Sequence, residues 1–463
     1  MRQLQIRPVH GSGAGIHFGF CVLVVLALIY LAWPLYRAFL PLQIDFNEGW
    51  NTYHTDVLGA GGGLYSFDDL TTANYPPLSF YVVRWLVSLT GLDALYVGRT
   101  LSLAATLATT LAIWVCARRL GASRLAAAIG AFWWLASMSR FYTRYIGMDD
   151  PHLVALAMMA WALVLVLDGA DSRQAGLGRR AGLRAALAIV LIALAGFYKH
   201  DLFAIPAATL CWVTLRDWRL GLRLTVLGVT AVAAGFALCA AIFGEAFFHS
   251  LFLPRTVDLM RLGSIGRLQF VAPALLLAAI WAVYRRRETG AQLVLLLILF
   301  GLLSYLVQIP GDGVADNAAF ELIFATAIGI ACAFDDLAAI PGVGRWGVAR
   351  AQILLLCVLI VRLLVSQRMS PYLLLLNPDF RAGLQNRVAV MTSETARIAA
   401  IPAPVVCDVM LVCRFAGKPF VVDPFLAAAN LRSGRISQGD FSRRTANVRF
   451  EQVDSRTDMS DLQ

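Results

Sequence analysis

The sequence predicts an α-helical polytopic membrane protein of about eleven spans, followed by a small α/β domain. Three observations carry this. Of 463 residues, 59% are hydrophobic and only 15% charged, against about 25% charged in an average soluble domain. Apolar runs long enough to span recur along most of the chain, since a bilayer core of about 30 Å takes roughly twenty such residues per helix. The cations are nearly all Arg, with Lys only at Lys199 and Lys418, and many sit in short loops between those runs, as the positive-inside rule requires. The net charge of +10 therefore reads as membrane topology and not as nucleic-acid binding. Because the runs are continuous, a transmembrane β-barrel, whose strands alternate, is excluded.

The first apolar run follows a basic start. No small-x-small cleavage site precedes Pro34, so it reads as an uncleaved helix over 17–40 rather than a signal peptide. A large loop, 41–94, comes next. Within it, "PPLSFYVVRWLVSLT" (76–90) is too short to span and contains Arg84, so it reads as an interfacial helix. "GAGGG" (59–63) lacks the Gly-Lys-Ser/Thr of a phosphate-binding loop and reads as a flexible turn. Further spans are expected at 95–117, 124–141, 151–168, 184–198, 201–216, 222–243, 267–284, 291–309, 318–336 and 350–366.

With the N-terminus in the cytoplasm, every inner loop is Arg-rich: "ARRLGASR", "DSRQAGLGRRAGLR", "RDWRLGLR", "YRRRETG" and "GVGRWGVAR". One miscounted span would break this agreement. The spanning part ends near 366, and 367–463 reads as an outer α/β domain. A helix is expected from about Pro378, strands in "PVVCDVMLV" and "KPFVVDP", a helix stop at Gly417, short helices in "PFLAAANLRSG" and "DFSRRTANVRF", and disorder in the last dozen residues. Six of the eight cysteines lie in apolar runs, as small hydrophobes. Cys407 and Cys413 lie in the tail, where an oxidising compartment permits a disulfide, though a strand–helix placement would hold them apart.

The outer side collects Asp45, Glu48, Asp149, Asp150, His152, Lys199, His200, Asp201, Asp316, Asn317 and Glu321, mostly near helix ends. Ionisable groups at membrane depth are costly and are functional candidates by default. That side does not hold the cell's nucleotides, which disfavours a nucleotide or nucleotide-sugar site. Each candidate also has an ordinary reading. Asp45 and Glu48 suit a solvated loop or a helix cap, and "DDPH" suits a helix start with Pro151 in the first turn. Lys199 can snorkel to headgroups, Asn317 and Glu321, one helical turn apart on one face, can bond between helices, and Tyr75 beside Pro76 and Pro77 suits a shaping role. The outer acids offer oxygen ligands to a divalent cation, but no spacing demands a metal or other cofactor.

In order, the chain shows a first helix, a loop with Asp-x-x-Glu-Gly, Gly-x-Leu-Tyr, and Tyr-Pro-Pro-Leu leading into an amphipathic segment. "GMDDPHLVALAMMAWAL", "GFYKHDLFAIPAA", "DNAAFELIFATAIG" and, in the tail, "GKPFVVDPF" follow. This order and sidedness resemble the glycosyltransferase C (GT-C) superfamily, closest to its bacterial family 39-like branch, which includes protein O-mannosyltransferases and the lipid A aminoarabinose transferase. The resemblance covers nearly the whole chain. Where many relatives carry Asp-Glu-Gly, this chain reads Asn47-Glu48-Gly49 with Asp45 two residues before, so the choice between the acids stays open.

The resemblance implies a polyprenyl-phosphate sugar donor, an outer-face reaction with inversion at the anomeric carbon, and a lipid, polysaccharide or protein acceptor. Asp45 or Glu48 would be the base for an acceptor hydroxyl. Lys199 and His200, helped by Arg255 or Arg261, would meet the leaving phosphate. Asp149, Asp150, His152, Asp201, Tyr75, Asn317 and Glu321 would bind substrate. The expected location is a bacterial cytoplasmic membrane, with membrane lipids as the surroundings and the tail outside. The rival readings are a transporter or flippase of lipid-linked sugars, disfavoured because no internal repeat is evident, and a surface-polysaccharide ligase or polymerase, disfavoured by the large acidic first loop.

Overall fold

The computed structural model describes residues 13–67, 70–174, 178–253, 256–340, 342–343 and 347–462. Each predicted span corresponds to a helix. Helix α1 (Gly13–Arg37) buries Leu23, Ala27, Tyr30 and Trp33 along one stripe and exposes Phe18, Val25 and Leu28 on the other. The first loop folds into α2 (Phe46–Gly59) and α3 (Leu78–Thr90). The bundle continues with α4 (Ala94–Arg119), α5 (Arg124–Phe141), α6 (His152–Gln174), α7 (Gly178–Tyr198), α8 (Ala204–Arg216) and α9 (Trp218–Phe243). Side chains of Asp93, Ser123 and Asp217 cap α4, α5 and α9, supplying acceptors for orphan N–H groups of a first turn.

The short α10 (Glu245–Leu251) is followed by α11 (Ala272–Tyr284), α12 (Thr289–Gln308), α13 (Phe320–Asp335) and α14 (Val348–Leu364). Every residue of α13 from Phe320 to Phe334 is buried, so this helix, apolar nearly all round, is the bundle's centre. By contrast α9 buries only Gly221, Leu224 and Cys239 and presents its apolar surface outward.

By length and composition seven of the described helices can cross a membrane, or eight if one bent pair counts as a single span. That pair revises the expected straight span at 267–284. A 3-10 segment, Leu259–Phe270, meets α11 at 84°. Pro273 in the first turn of α11 explains the break, because proline starts a helix but cannot continue one. The span expected at 201–216 begins only at Ala204 and is 13 residues long. Helix α3 exposes Tyr81, Trp85 and Leu89.

The tail packs on the first loop. It comprises α15 (Ser370–Leu376), α16 (Pro378–Ala399), β1 (Val405–Cys407), α17 (Met410–Phe415), α18 (Pro424–Arg432), α19 (Gln438–Arg444) and β2 (Arg449–Glu451). Helix α16 begins at Pro378 with Asn377 as its cap. Past α17, Gly417 takes the left-handed conformation, φ +70°, and ends the helix. Cys407 and Cys413 form a disulfide, their Cα atoms 5.7 Å apart, because α17 turns straight back over β1.

Two tail expectations are revised. "KPFVVDP" is not a strand: β1 pairs in parallel with β2, while the Asp423 N–H donates to the Leu70 carbonyl at 2.7 Å. The last residues are ordered, because the Gln43 N–H donates to the Thr457 carbonyl and the Met459 N–H to the Gln43 carbonyl. Thr457 and Met459 are thereby fixed beside the start of the first loop.

Candidate active site

Helix α2 begins at Asp45. Its carboxylate accepts the Asn47 N–H at 3.1 Å and meets the Arg144 guanidinium, also at 3.1 Å. Burial lifts the pKa of Asp45, with Glu48 and Asp150 adding to the rise and Arg144 and the Asn47 N–H opposing it. Asp45 lines a cleft of about 240 Å³ together with Phe46, Asn47, Trp50, Asn74, Tyr75, Arg144, Gly313, Asp423 and Phe425. The walls thus come from the first loop, the segment before α6, the turn before α13 and the tail.

Glu48, one helical turn on, does not reach this cleft. It is fully buried against Arg99, which is equally buried. The pair is bidentate, with Nε to Oε1 and Nη2 to Oε2 both at 2.7 Å. The N–H groups of Ile44 and Asp149 also donate to Glu48, at 2.7 and 3.1 Å. Arg99 further donates to the Leu40 and Leu42 carbonyls at 2.6 Å. One ion pair therefore ties the start of the first loop to α4 and to the "DDPH" segment.

Asp149 is buried beneath α2, and its Oδ2 has no hydrogen-bond partner among the described residues. Burial, with Glu48 and Asp150 close by, holds its carboxyl well above the usual range, against the pull of Arg99 and Arg414. Its carboxyl lies flat on Gly98, where an added Cβ would fall 1.9 Å from Oδ1. Gly98→Ala is therefore expected to push the loop off α4 and cost about 1–3 kcal/mol, read as a lower unfolding temperature of the detergent-solubilised protein. Asp150 caps the start of α6 through the His152 N–H at 2.8 Å.

A second polar chain runs behind the cleft. Tyr145 donates to Asn317 and Asn317 meets His152, each at 3.1 Å. His152 lies 3.6 Å from Asp201, which lies 3.8 Å from Lys199. The Lys199 Nζ sits 3.4 Å from the Tyr75 ring centroid. Burial pulls Lys199 down, but Tyr75, Asp201 and Asp150 outweigh it and leave its pKa above the usual value. His200 is exposed and lines a smaller cavity of about 50 Å³ with Asn74, Leu251, Leu253, Thr256, Asp312 and Phe425 among others. Asn74 and Phe425 border both cavities, so the two adjoin at these residues.

Glu321 is drawn elsewhere. It accepts the N–H groups of Phe203, Ala204 and Ile205 at 3.2, 3.1 and 2.8 Å, capping α8 from α13. Asn317 and Glu321, expected on one helical face, thus serve different neighbours, because Asn317 lies in the 3-10 turn Asp316–Ala319 ahead of α13. Arg255 lies outside the described residues. Arg261 donates to the Gly311 and Val314 carbonyls. Among the described residues no group of three or more His, Cys, Asp or Glu is arranged to hold a metal ion. Asp45, Glu48 and Asp201 are met by Arg144, Arg99 and Lys199, whereas Asp150 and Glu321 accept backbone N–H groups.

Sequence reasoning missed Arg99, Arg144, Trp50, Asn74, Asp423 and Phe425. The arginines carried a signal: Arg37, Arg99, Arg140 and Arg144 fall at the span ends where the expected topology places few cations. The first three are almost fully buried. Asp423 caps α18 through the N–H groups of Phe425 and Leu426 at 2.9 and 3.2 Å. Burial pushes its pKa up to about 7, although those N–H groups and the Trp50 side chain pull it down.

The unfolded chain releases this proton near pH 3.9. Folded Asp423 therefore costs stability as pH rises from about 4 through 7. Asp423→Asn keeps a capping oxygen and removes the titration. Its gain in unfolding temperature over wild type is expected to grow across that window and level off above it, read by thermal melts at several pH values.

By its likeness to solved structures the helical bundle has the GT-C fold. The particular likenesses are to ArnT from Cupriavidus metallidurans and to an archaeal oligosaccharyltransferase. The apo ArnT structure superposes with a TM-score of 0.56 at 13% identity, and the form bound to undecaprenyl phosphate with 0.56 at 15%, each over 88% of both chains. The Archaeoglobus fulgidus oligosaccharyltransferase aligns with a TM-score of 0.50 at 12% identity, over 77% of this chain and 57% of its own. No family model and no curated protein sequence matches the chain.

Proposed function

We propose that the chain is an inverting membrane glycosyltransferase that moves a sugar from a polyprenyl-phosphate donor to an acceptor hydroxyl at the outer face of the membrane. The observation that carries this is the placement of Asp45. It is a carboxylate beside an open groove, held by a helix N-terminus and by Arg144. The fold likeness to ArnT, seen with undecaprenyl phosphate, supports a polyprenyl lipid as donor.

In the proposed reaction Asp45 takes the proton from the acceptor hydroxyl. The freed oxygen pair attacks the anomeric carbon, and the bond from that carbon to the phosphate oxygen breaks, its electrons leaving on polyprenyl phosphate. Burial raises the basicity of Asp45, which suits a base working near neutral pH. Glu48 takes no proton in this scheme; with Arg99 it positions the loop that carries Asp45. His200 faces the smaller cavity, where Leu251 and Leu253 give an apolar approach for the lipid, and it would meet the leaving phosphate there, with Lys199 adding positive charge from behind Tyr75.

The reading also places the N-terminus in the cytoplasm and the tail outside. The Arg-rich turns at the end of the bundle away from the groove support this, as does the Cys407–Cys413 disulfide, a bond uncommon in cytosolic proteins. The test is transfer from labelled polyprenyl-phosphate sugars by the purified chain in proteoliposomes. Release of polyprenyl phosphate with the sugar passing to acceptor or water is expected. Movement of intact lipid-linked sugar across the bilayer, without bond cleavage, would instead identify a flippase.

A further inference from the structure

The larger cavity of the groove has a lining whose chemistry can be read. Phe46 and Phe425 lie with ring centroids 6.1 Å apart, and Trp50 and Tyr75 4.7 Å apart. Among these rings stand two amides, Asn47 and Asn74, two acids, Asp45 and Asp423, and one cation, Arg144, which is already paired with Asp45. Aromatic faces with a few convergent amides and carboxylates suit a ring that is apolar on its C–H face and hydroxylated at its rim. An anionic ligand would meet two acids and no unpaired cation in this lining. A peptide main chain would want a strand edge or a ladder of backbone groups, whereas this lining is largely side chains. At about 240 Å³ the cavity holds one sugar ring.

Phe425 is brought there by the tail, whose α18 begins at Pro424. It is half-buried and rests on Gly313, where an added Cβ would lie 2.7 Å from the Phe425 ring and where φ is +76°. Only glycine accepts both conditions at once. The tail is also tied to the loops of the groove by Arg414 to Asp56 and Asp93, at 2.6 and 2.9 Å, and by Arg432 to Asp312 at 2.5 Å.

Building on the transferase reading above, we propose that the larger cavity is the acceptor subsite, that it takes an uncharged sugar ring presenting a hydroxyl to Asp45, and that Phe425 from the tail is its stacking face. The transferred sugar then joins another sugar, and the tail selects the acceptor as well as bracing the loops. The donor's anomeric carbon comes to where the two cavities adjoin at Asn74 and Phe425, with its phosphate in the smaller cavity.

The experiment uses the full chain in proteoliposomes with labelled polyprenyl-phosphate hexoses and pentoses. The acceptors are methyl hexosides, their 6-phosphate esters and a Ser-containing peptide. A neutral hexoside is expected to give a kcat/KM at least about tenfold above its phosphate ester and above the peptide. Phe425→Leu is expected to raise KM for the hexoside about tenfold with kcat within about threefold, and Phe425→Trp to restore KM. Asn74→Ala, in the first loop, is expected to show the same split. A phosphate ester or peptide used as well as the hexoside overturns the acceptor assignment. So does donor cleavage with no transfer to any hexoside, or a Phe425→Leu variant that loses kcat at unchanged KM; in each case the transferase reading stands. A wild type that cleaves no donor overturns the transferase reading itself, and this one with it.

Discussion

Asp45→Asn is expected to lower sugar transfer by about 10²–10⁴-fold, the range that a positioned general base contributes, and to leave the fold intact. Asparagine caps a helix as well as aspartate does, so the bond to the Asn47 N–H survives. What is lost is the pairing with Arg144, whose side chain is 42% exposed, and partly exposed pairs contribute about 1 kcal/mol or less. The expected signature is an unchanged unfolding temperature with transfer abolished.

The pH profile adds a second readout. Only the ionised carboxylate accepts a proton, and burial holds the Asp45 pKa above its ordinary value. Transfer by wild type should therefore fall on the acid side at a higher pH than an ordinary aspartate, near 3.9, would give. A variant with full activity, or an acid limb at the ordinary value, removes Asp45 as the base.

Glu48→Gln gives the opposite signature. It removes one partner of a fully buried bidentate pair and leaves Arg99 charged and uncompensated, which costs about 3–5 kcal/mol. The first loop should loosen from α4, with a lower unfolding temperature and loss of transfer together. The double variant Glu48→Gln with Arg99→Met should recover much of the stability, because replacing a whole buried pair by apolar groups costs far less than breaking it. If Glu48→Gln melts like wild type and transfers nothing, Glu48 itself takes part in the chemistry, and its role as a positioning residue fails.

These two substitutions separate acids that the sequence leaves equivalent. Both stand near the start of one helix, three residues apart, and the spacing implies a shared face. What splits them is Arg99, about fifty positions later, which reaches back to Glu48 and not to Asp45. The same holds for Asn317 and Glu321: their spacing implied one site, yet a 3-10 turn breaks the helix between them and each bonds a different neighbour. Arg99 and Arg144 were visible as cations where the expected topology places few, a local violation that flags burial or function without naming the partner.

The sequence by itself determined where the apolar helices fall and their order, the helix start at Pro378 and the helix stop at Gly417. These follow from local hydropathy and from single-residue backbone preferences, both of which act over a few positions. Tertiary structure alone decided which acid faces the groove, that the tail supplies Asp423 and Phe425 to its wall, and that β1 takes β2 as its partner. Only there are the last residues held on Gln43. Such choices depend on contacts between segments tens to hundreds of positions apart. The free energy that settles them is the cost of leaving a buried charge or backbone group unpaired, which appears only when the segments are brought together.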